Sequence, residues 1–298
     1  MTLGLVLQYL AAGLTYGAIY GIVGIGFNII YNTTGVINFA QGEFVMLGGM
    51  LAVSLSGRLP LPAAIAFAVA LTMAIGGLVE VTFLRWLGKA SVLRMILITI
   101  GVAILLREAA LVAWGPAVRA LPYFTGDEVT ALDVAGARVS PQVVWTLATC
   151  AAIVVLLGLF FRRTSLGRQM RACASNGEAA RLCGLPVRNL VTLSFVLSAG
   201  IGALAGCVVS PITSTHAGVG TGLALKGFTV AVLGGLGSSF AAVGAGLLVG
   251  VLEAFSVSLL PAAYKETVSV TVLLAILFLR PSGLFGAAGG APRAGGHG

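Results

Sequence analysis

Long apolar runs are the feature that most restricts how this chain can fold. A helix needs about 20 apolar residues, at a rise of about 1.5 Å each, to cross the hydrocarbon layer of a membrane. Backbone groups in lipid must satisfy one another, and the alternation typical of barrel strands is absent, so each run is predicted as a helix. The runs, some shortened or broken by glycine, are 4–31, 43–56, 61–84, 95–113, 142–161, 190–209, 223–236, 240–260 and 267–280.

Composition supports the same interpretation. The chain has 58% hydrophobic and 9% charged residues and a mean hydropathy of +1.07, which separates it from soluble globular proteins. We predict an all-α fold, a polytopic transmembrane helical bundle with about eight or nine spans, of which 43–56, 223–236 and 267–280 are the weakest. Residues 1–286 form one transmembrane domain, and the Gly/Ala-rich stretch 287–298 is predicted to be a disordered tail.

The basic residues gather at the ends of the runs, where they predict the orientation of the chain. Loop 85–94 has three cations and no acid, loop 162–188 has six arginines against one glutamate, and loop 114–141 has two arginines against three acids. Lysine and arginine concentrate in cytoplasmic loops, so the first two loops are predicted inside and the third outside. The N-terminus is then outside and the C-terminus cytoplasmic. Topology and contact with membrane lipid account for the net charge of +8, and we expect no nucleic-acid partner.

Two polar, glycine-bearing strips interrupt the apolar runs, at 31–43 and at 234–239. Irregular backbone at membrane depth is tolerated only where protein or a water-filled cavity satisfies it, and interrupted segments mark translocation paths in transporters. The alternative is an ordinary turn between helices at the membrane surface. Both interpretations stand for the second strip, whereas the polarity of the first favours a path. The candidate path residues are Thr33, Asn38, Gln41, Glu43, Gly234, Gly235 and Gly237.

Other ionisable residues occur in or near the apolar runs. We expect Glu80 to reach the cytoplasmic interface near Arg85, and Arg107 and Glu108 to pair with other groups or to extend toward the outer interface. Glu253 is the one expected to be truly intramembrane, with either a structural hydrogen bond between helices or a role in transport.

Motifs of enzymatic chemistry are missing. The sequence has no G-x-x-x-x-G-K-[ST] phosphate loop, no cluster of residues at metal-ligand spacing and no G-x-S-x-G nucleophile elbow. We therefore expect a protein that is not an enzyme, without catalytic residues, cofactor or metal, and unable to hydrolyse ATP by itself.

The arginine-rich loop 162–188 contains the signals of a short helix. Asn176 is placed to cap its N-terminus, Glu178 falls in the first turn where the helix dipole favours a carboxylate, and Ala179 and Ala180 are strong helix formers. Gly184 and Pro186 then end it. With four arginines around it, such a helix could seat in a groove of a soluble protein and transmit its motion. The surrounding arginines are Arg168, Arg171, Arg181 and Arg188.

This loop resembles the coupling loop of permease subunits in binding-protein-dependent ABC importers, on the pattern Glu178-Ala179-Ala180-x-x-x-Gly184. Strips 35–43, 167–172, 226–238 and 280–286 are similar to segments of the branched-chain amino-acid permeases of the LivH/LivM type, closest to LivH. One departure is that the distal Leu-Pro pair of the wider loop pattern is absent in register.

The resemblance implies a type II ABC importer-like permease in the bacterial plasma (inner) membrane. Its partners would be two ATPase subunits, a second related permease and an extracytoplasmic solute-binding protein. The residues implied in ATPase coupling are Gly167, Arg168, Arg171, Glu178, Ala179, Ala180 and Gly184.

The expected cargo is a branched-chain, hydrophobic amino acid. Two alternatives remain open from the sequence. One is a permease of the same family for urea, amides or small aromatic acids. The other is an ion-coupled secondary transporter with Glu43 or Glu253 as its proton site; no clear inverted repeat supports it.

Overall fold

The computed structural model describes residues 3–87, 91–127, 130–134, 136–259, 265–280 and 283–284. The predicted tail 287–298 lies outside the described residues, as do Lys89 and Glu128 of the charged loops. The helices are α1 (Leu3–Thr34), α2 (Gln41–Ser56), α3 (Leu61–Val79), α4 (Val92–Trp114), α5 (Pro141–Arg163), α6 (Ser165–Ser175), α7 (Gly177–Leu182), α8 (Val187–Thr213), α9 (Val219–Gly234), α10 (Ser239–Leu259) and α11 (Lys265–Leu279).

Two features fall outside this list of helices. A π-helical turn, Glu80–Leu84, and a 3-10 turn, Arg85–Leu87, continue α3. Strands β1 (Leu132–Val134) and β2 (Ala137–Val139) form an antiparallel hairpin in the loop before α5. The all-α prediction omitted this hairpin, because three-residue strands leave no readable alternation in a sequence.

Each of the predicted apolar runs overlaps one of the helices. In the described part of the chain, six helices are long and apolar enough to cross a membrane: α1, α3 with its π-helical extension, α4, α5, α8 and α10. The helices at the three weakest runs are shorter, with 16 residues in α2, 16 in α9 and 15 in α11. A multi-pass helical bundle is confirmed, whereas length and composition alone support fewer spans than the eight or nine predicted.

The long helix α1 is the centre of the bundle, and glycine brings its neighbours close. Its residues from Gly17 to Ile30 are all buried. A Cβ added to Gly17 would lie 2.6 Å from the carbonyl oxygen of Gly246, and one added to Gly250 would lie 2.3 Å from that of Gly13. Glycines at these helical spacings let the backbones of α1 and α10 touch without intervening side chains, which is how small residues pack helices in membrane proteins.

The first interruption begins later than predicted and returns into the bundle. Helix α1 continues to Thr34, Gly35 has a positive φ of 69°, and α2 starts at Gln41. Gln41 lies beside Gly26, since a Cβ added to Gly26 would be 2.1 Å from the side-chain Nε2 of Gln41. Gly26 is about 12 Å from the end of α1 at the helical rise. Residues 35–40 therefore lead back along α1 before the second helix begins.

Candidate functional site

Helix α7 has the two ends that the sequence predicts. Asn176 Oδ1 accepts a hydrogen bond from Ala179 N at 3.0 Å. Gly184 has a φ of 80°, and its N–H donates to Arg181 O at 3.0 Å, while Leu185 N donates to Ala180 O at 3.0 Å. This is a Schellman ending, which requires a left-handed residue after the helix. The predicted cap and stop are both confirmed.

The exposed side of α7 differs in part from the expected one. Glu178, Ala179 and Arg181 are exposed, but Ala180 is buried in the main core cluster. Ala180 packs inward because residues of several helices form the cluster that covers it. Leu182, which the sequence analysis did not single out, is 89% exposed. An apolar residue in the last turn of a surface helix was the available signal.

Helix α6 holds the remaining coupling residues. Thr164 Oγ1 accepts from Gly167 N at 2.9 Å and starts the helix. A Cβ on Gly167 would lie 2.3 Å from Phe160 O, so this glycine allows α6 to turn tightly against α5. Arg168 and Arg171 are exposed on the opposite side from the buried Met170. Helices α6 and α7 thus present a cationic surface that is folded onto the bundle.

The candidate path residues do not form one site, because several are used to join helices. Gln41 is fully buried; its Nε2 donates to Ser198 O at 3.3 Å and its Oε1 accepts from Ser198 Oγ at 2.5 Å. Thr33 Oγ1 donates to Ser194 Oγ at 2.8 Å. Both residues therefore tie the end of α1 and the start of α2 to α8, and their polar atoms are already occupied.

Asn38 lines a cavity of about 50 Å³ together with Glu80 and Thr99. Its Oδ1 accepts from Ala40 N at 3.1 Å, and its buried Nδ2 has no hydrogen-bond partner. The expectation for Glu80 was wrong. It is buried within the π-helical turn and accepts from Thr192 Oγ1 of α8 at 2.5 Å, so its carboxylate does not reach the interface.

The glycine strip after α9 is held against α1. Gly237 N donates to Asn28 Oδ1 at 2.9 Å, and Asn32 Nδ2 donates to Gly237 O at 2.8 Å. Gly235 and Gly237 have positive φ angles of 99° and 100°. The turn, which starts at the buried Gly234, borders a cavity of about 350 Å³ that also contacts Arg162 and Arg171. The turn therefore lies at the end of the bundle that carries the arginine-rich helices. Gln41 is not part of this cavity wall.

Glu43 is the only acidic residue among the candidates, and it lines a cavity larger than the one beside Asn38. It is 4% exposed, and its Oε2 has no hydrogen-bond partner. The cavity, of about 170 Å³, lies between α2, α4 and α9. Arg107 and Thr221 are its other polar wall residues, and Phe39 and Phe228 lie at its edge with ring centroids 6.0 Å apart.

Glu253 belongs to a buried ion pair that the sequence analysis missed. Lys226 of α9 forms the pair with Glu253 Oε1, and Tyr20 OH of α1 donates to Glu253 Oε2 at 3.0 Å. Glu253 is 1% exposed, as expected for an intramembrane residue. The lone lysine in the run 223–236 was the overlooked signal. Of the two roles left open for Glu253, the contacts support the structural one.

Arg107 and Glu108 form an ion pair with each other at 3.5 Å, with side chains 40% and 56% exposed. The two residues pair with each other, whereas the sequence analysis expected pairing with other groups or extension toward the interface. The pair lies on α4, whose surrounding residues Ile104 and Leu111 are also exposed.

These features define a class, the multi-pass helical membrane proteins, with buried polar contacts inside the bundle and a cationic helical surface between α5 and α8. The chain belongs to a family within it, described as the permease component of branched-chain amino acid transport systems. The family model matches residues 9–277.

Relatives of known name extend this finding over nearly the whole chain. The permease protein BraD of a high-affinity branched-chain amino acid transport system in Pseudomonas aeruginosa is 32% identical over 293 residues, 94% of this chain and 95% of BraD. The corresponding permease protein LivH of Escherichia coli K12 is 31% identical over 301 residues, with the same shares covered. PsaBC from Streptococcus pneumoniae, solved with a Fab, matches with a TM-score of 0.51 at 16% identity and covers 92% of this chain and 93% of its own. That likeness concerns the fold alone.

Proposed function

We propose that this chain is the membrane permease subunit of a binding-protein-dependent ABC importer for branched-chain amino acids. The observation that supports it most is the likeness, over 94% of the chain, to two permeases named for high-affinity transport of those amino acids. Two ATPase subunits, a second related permease and an extracytoplasmic binding protein complete the importer. The permease itself hydrolyses nothing.

The ATPases dock on α7. Its exposed residues Glu178, Ala179 and Leu182 form a small face on a helix that is capped at both ends. Leu182 supplies the apolar centre, since a side chain that is 89% exposed gains from burial in a groove. Arg168, Arg171 and Arg181 surround this face and favour an acidic rim on the partner.

Helix α8 carries the motion of α7 into the bundle. It begins at Val187, three residues after Gly184, and its polar side chains form successive contacts with other helices. Thr192 bonds to Glu80, Ser194 to Thr33, and Ser198 to Gln41 at the start of α2. A tilt of α8 would therefore displace α2 and the turn before it as a unit. We infer that this displacement alternates the path between inward- and outward-facing states.

The second permease covers the face formed by α4 and α9. Arg107 and Glu108 are exposed there, and charges that face hydrocarbon cost at least about 2.5 kcal/mol each on insertion scales. A protein partner on this face would remove that cost and would leave a path between the two permeases. The N-terminus is outside and the C-terminus cytoplasmic, in the bacterial inner membrane.

Purification of the tagged chain from its host in mild detergent, with mass spectrometry of its partners, tests the assembly. We expect two ATPases and a second permease with the parent chain, and loss of the ATPases alone with Glu178→Arg. Leucine uptake by the reconstituted complex tests the cargo. Recovery of the chain alone, together with uptake that collapses with the ion gradient, would support a secondary transporter instead. Uptake of urea, amides or aromatic acids without leucine would contradict the cargo.

A further inference from the structure

The cavity beside Glu43 has the features of a small binding site. Its volume of about 170 Å³ is far above the roughly 10–15 Å³ that one water requires on this kind of measure. Its walls are largely apolar, with two aromatic rings and the aliphatic residues of α4 and α9, and only a few polar groups converge on it. This combination is typical of sites for small amphipathic ligands. The aliphatic wall residues are Ile100, Ala103, Ile104, Ala224 and Leu225.

Glu43 lacks the partners that the other buried carboxylates have. In the described part of the chain, the buried glutamates are Glu43, Glu80 and Glu253. Glu80 accepts from Thr192, and Glu253 is bound by Lys226 and Tyr20. The Oε2 atom of Glu43 alone among these carboxylate oxygens is buried with no hydrogen bond. Leaving such a group unpaired is costly, so a donor bound in the cavity would stabilise it.

Close backbone contact keeps Glu43 at this position. A Cβ on Gly42 would lie 2.1 Å from Gly220 O, and one on Gly220 would lie 2.6 Å from Gly42 O and 3.0 Å from Glu43 Oε2. Helices α2 and α9 therefore touch backbone to backbone directly beside the carboxylate. No side chain at these two positions can enter the space next to Glu43, so the carboxylate keeps an open side toward the cavity.

The opposite charge lies on the facing helix. Arg107 of α4 lines the same cavity and has a planar guanidinium that suits a carboxylate. An amino acid carries an ammonium group, with three donors and no acceptor, and a carboxylate with acceptors only. An acidic and a basic group in the wall of one cavity match the two charged groups on the α-carbon of such a molecule, and the apolar walls match an aliphatic side chain.

We propose that this cavity is the head-group site for a zwitterionic amino acid inside the permease. Glu43 accepts hydrogen bonds from the α-ammonium, Arg107 donates to the α-carboxylate, and Thr221 contributes a hydroxyl at the rim. The side chain lies along Phe39, Phe228 and the aliphatic wall. This inference rests on the proposed function, because it assumes that an aliphatic amino acid is the solute. It explains why an unpaired carboxylate is kept beside a path for uncharged side chains.

The test uses the complete importer in proteoliposomes with ATP and its binding protein. Glu43→Gln keeps the size of the side chain and removes its charge, and Glu43→Asp keeps the charge. Asp127→Asn is the matched control, because it removes a carboxylate from an exposed loop and does not line the cavity. Leucine uptake and binding-protein-stimulated ATP hydrolysis are measured on the same preparations.

We expect Glu43→Gln to lower leucine uptake at least about tenfold, which corresponds to the loss of one charge-assisted hydrogen bond. ATP hydrolysis should stay within about twofold, Glu43→Asp should restore part of the uptake, and Asp127→Asn should match the parent.

Leucine uptake by Glu43→Gln within about twofold of the parent would overturn the inference and leave the proposed function intact. Loss of assembled complex in both Glu43 variants would assign a structural role to Glu43 and would also overturn it. A parent complex that hydrolyses ATP but carries no leucine would contradict the proposed cargo, and this inference would fail with it.

Discussion

At the scale of single residues, the buried carboxylates have different surroundings that their sequence positions do not reveal. Glu43, Glu80 and Glu253 each occur in or beside an apolar run, and from the sequence each invites a functional interpretation. Glu80 and Glu253 are bound by side chains of distant helices, whereas Glu43 has a buried carboxylate oxygen without a hydrogen bond. The chemistry of each therefore depends on what the opposite helix supplies.

The ion pair between Lys226 and Glu253 gives a direct test of a structural role. Removing one partner leaves a buried charge uncompensated, so Glu253→Gln alone should cost about 3–5 kcal/mol of unfolding free energy. The double variant Lys226→Met with Glu253→Gln should recover most of this loss, because both charges are gone. Thermal unfolding of the purified chain in detergent measures the effect.

An exposed carboxylate outside the spans is the control for that experiment. Asp127→Asn, in the loop before β1, should change stability by no more than about 0.5 kcal/mol, as expected for a surface substitution. Equal losses for Asp127→Asn and Glu253→Gln would mean that the charge itself, rather than its burial, determines stability.

At the scale of elements, local signals predict the short helix α7 well and predict the long-range contacts poorly. The cap at Asn176 and the stop at Gly184 depend on residues within a few positions, so the sequence contains all that is needed. The bond from Ser198 to Gln41 joins residues 157 positions apart, and its register depends on how α2 and α8 pack. The sequence does not predict the burial of Ala180 for the same reason, since the cluster that buries it comes from several helices.

Leu182 is predicted to be the contact that matters most on α7. Leu182→Asp should reduce recovery of the ATPases at least about tenfold, because it places a charge at the apolar centre of the docking face. The fold should not change, since the side chain is 89% exposed. Leu132→Asp, on the hairpin strand β1 and 48% exposed, is the matched control and should leave recovery unchanged. Normal recovery with Leu182→Asp would place the docking face elsewhere.

Substitution of a glycine by alanine should be far more destabilising at the contact of α1 with α10 than on an open face. Gly250→Ala places a Cβ 2.3 Å from Gly13 O, and backbone atoms cannot yield as a flexible side chain can. We expect a loss of about 1–3 kcal/mol, the usual range for overpacking. Gly101→Ala, with nothing within 4 Å of the added Cβ, should be neutral or stabilising by up to about 1 kcal/mol through helix propensity. Thermal unfolding of both variants decides the matter.

At the scale of the whole molecule, the charged loops and the alternation of helices lead to one orientation. Six arginines lie between 162 and 188, around α6 and α7, and the hairpin of β1 and β2 belongs to the less basic loop 114–141. If the positive loops face the cytoplasm, α7 is accessible to ATPases that use cellular ATP, and the hairpin is on the side from which a binding protein would approach. Orientation and coupling can therefore both be tested at one position, with a single accessible thiol.

Cys183, at the end of α7, is exposed, whereas Cys150, Cys173 and Cys207 are buried. Burial also raises the pKa of the Cys173 thiol, which lies outside the spans, so little of its reactive thiolate forms at neutral pH. A membrane-impermeant maleimide should therefore label the parent chain at Cys183 in inside-out vesicles and leave it unlabelled in right-side-out vesicles. Labelling should disappear with Cys183→Ser, and bound ATPases should slow it by covering α7.

A cysteine placed in the hairpin, Leu132→Cys in a Cys183→Ser background, should show the opposite pattern. Labelling of Cys183 from the outer side would reverse the orientation and exclude α7 from contact with cytoplasmic ATPases, because the membrane would separate them. Labelling from the inner side that bound ATPases do not slow would keep the orientation and remove α7 as the docking element. The two results thus separate the topology, which rests on the charges of the loops, from the coupling role, which rests on the exposed face of one short helix.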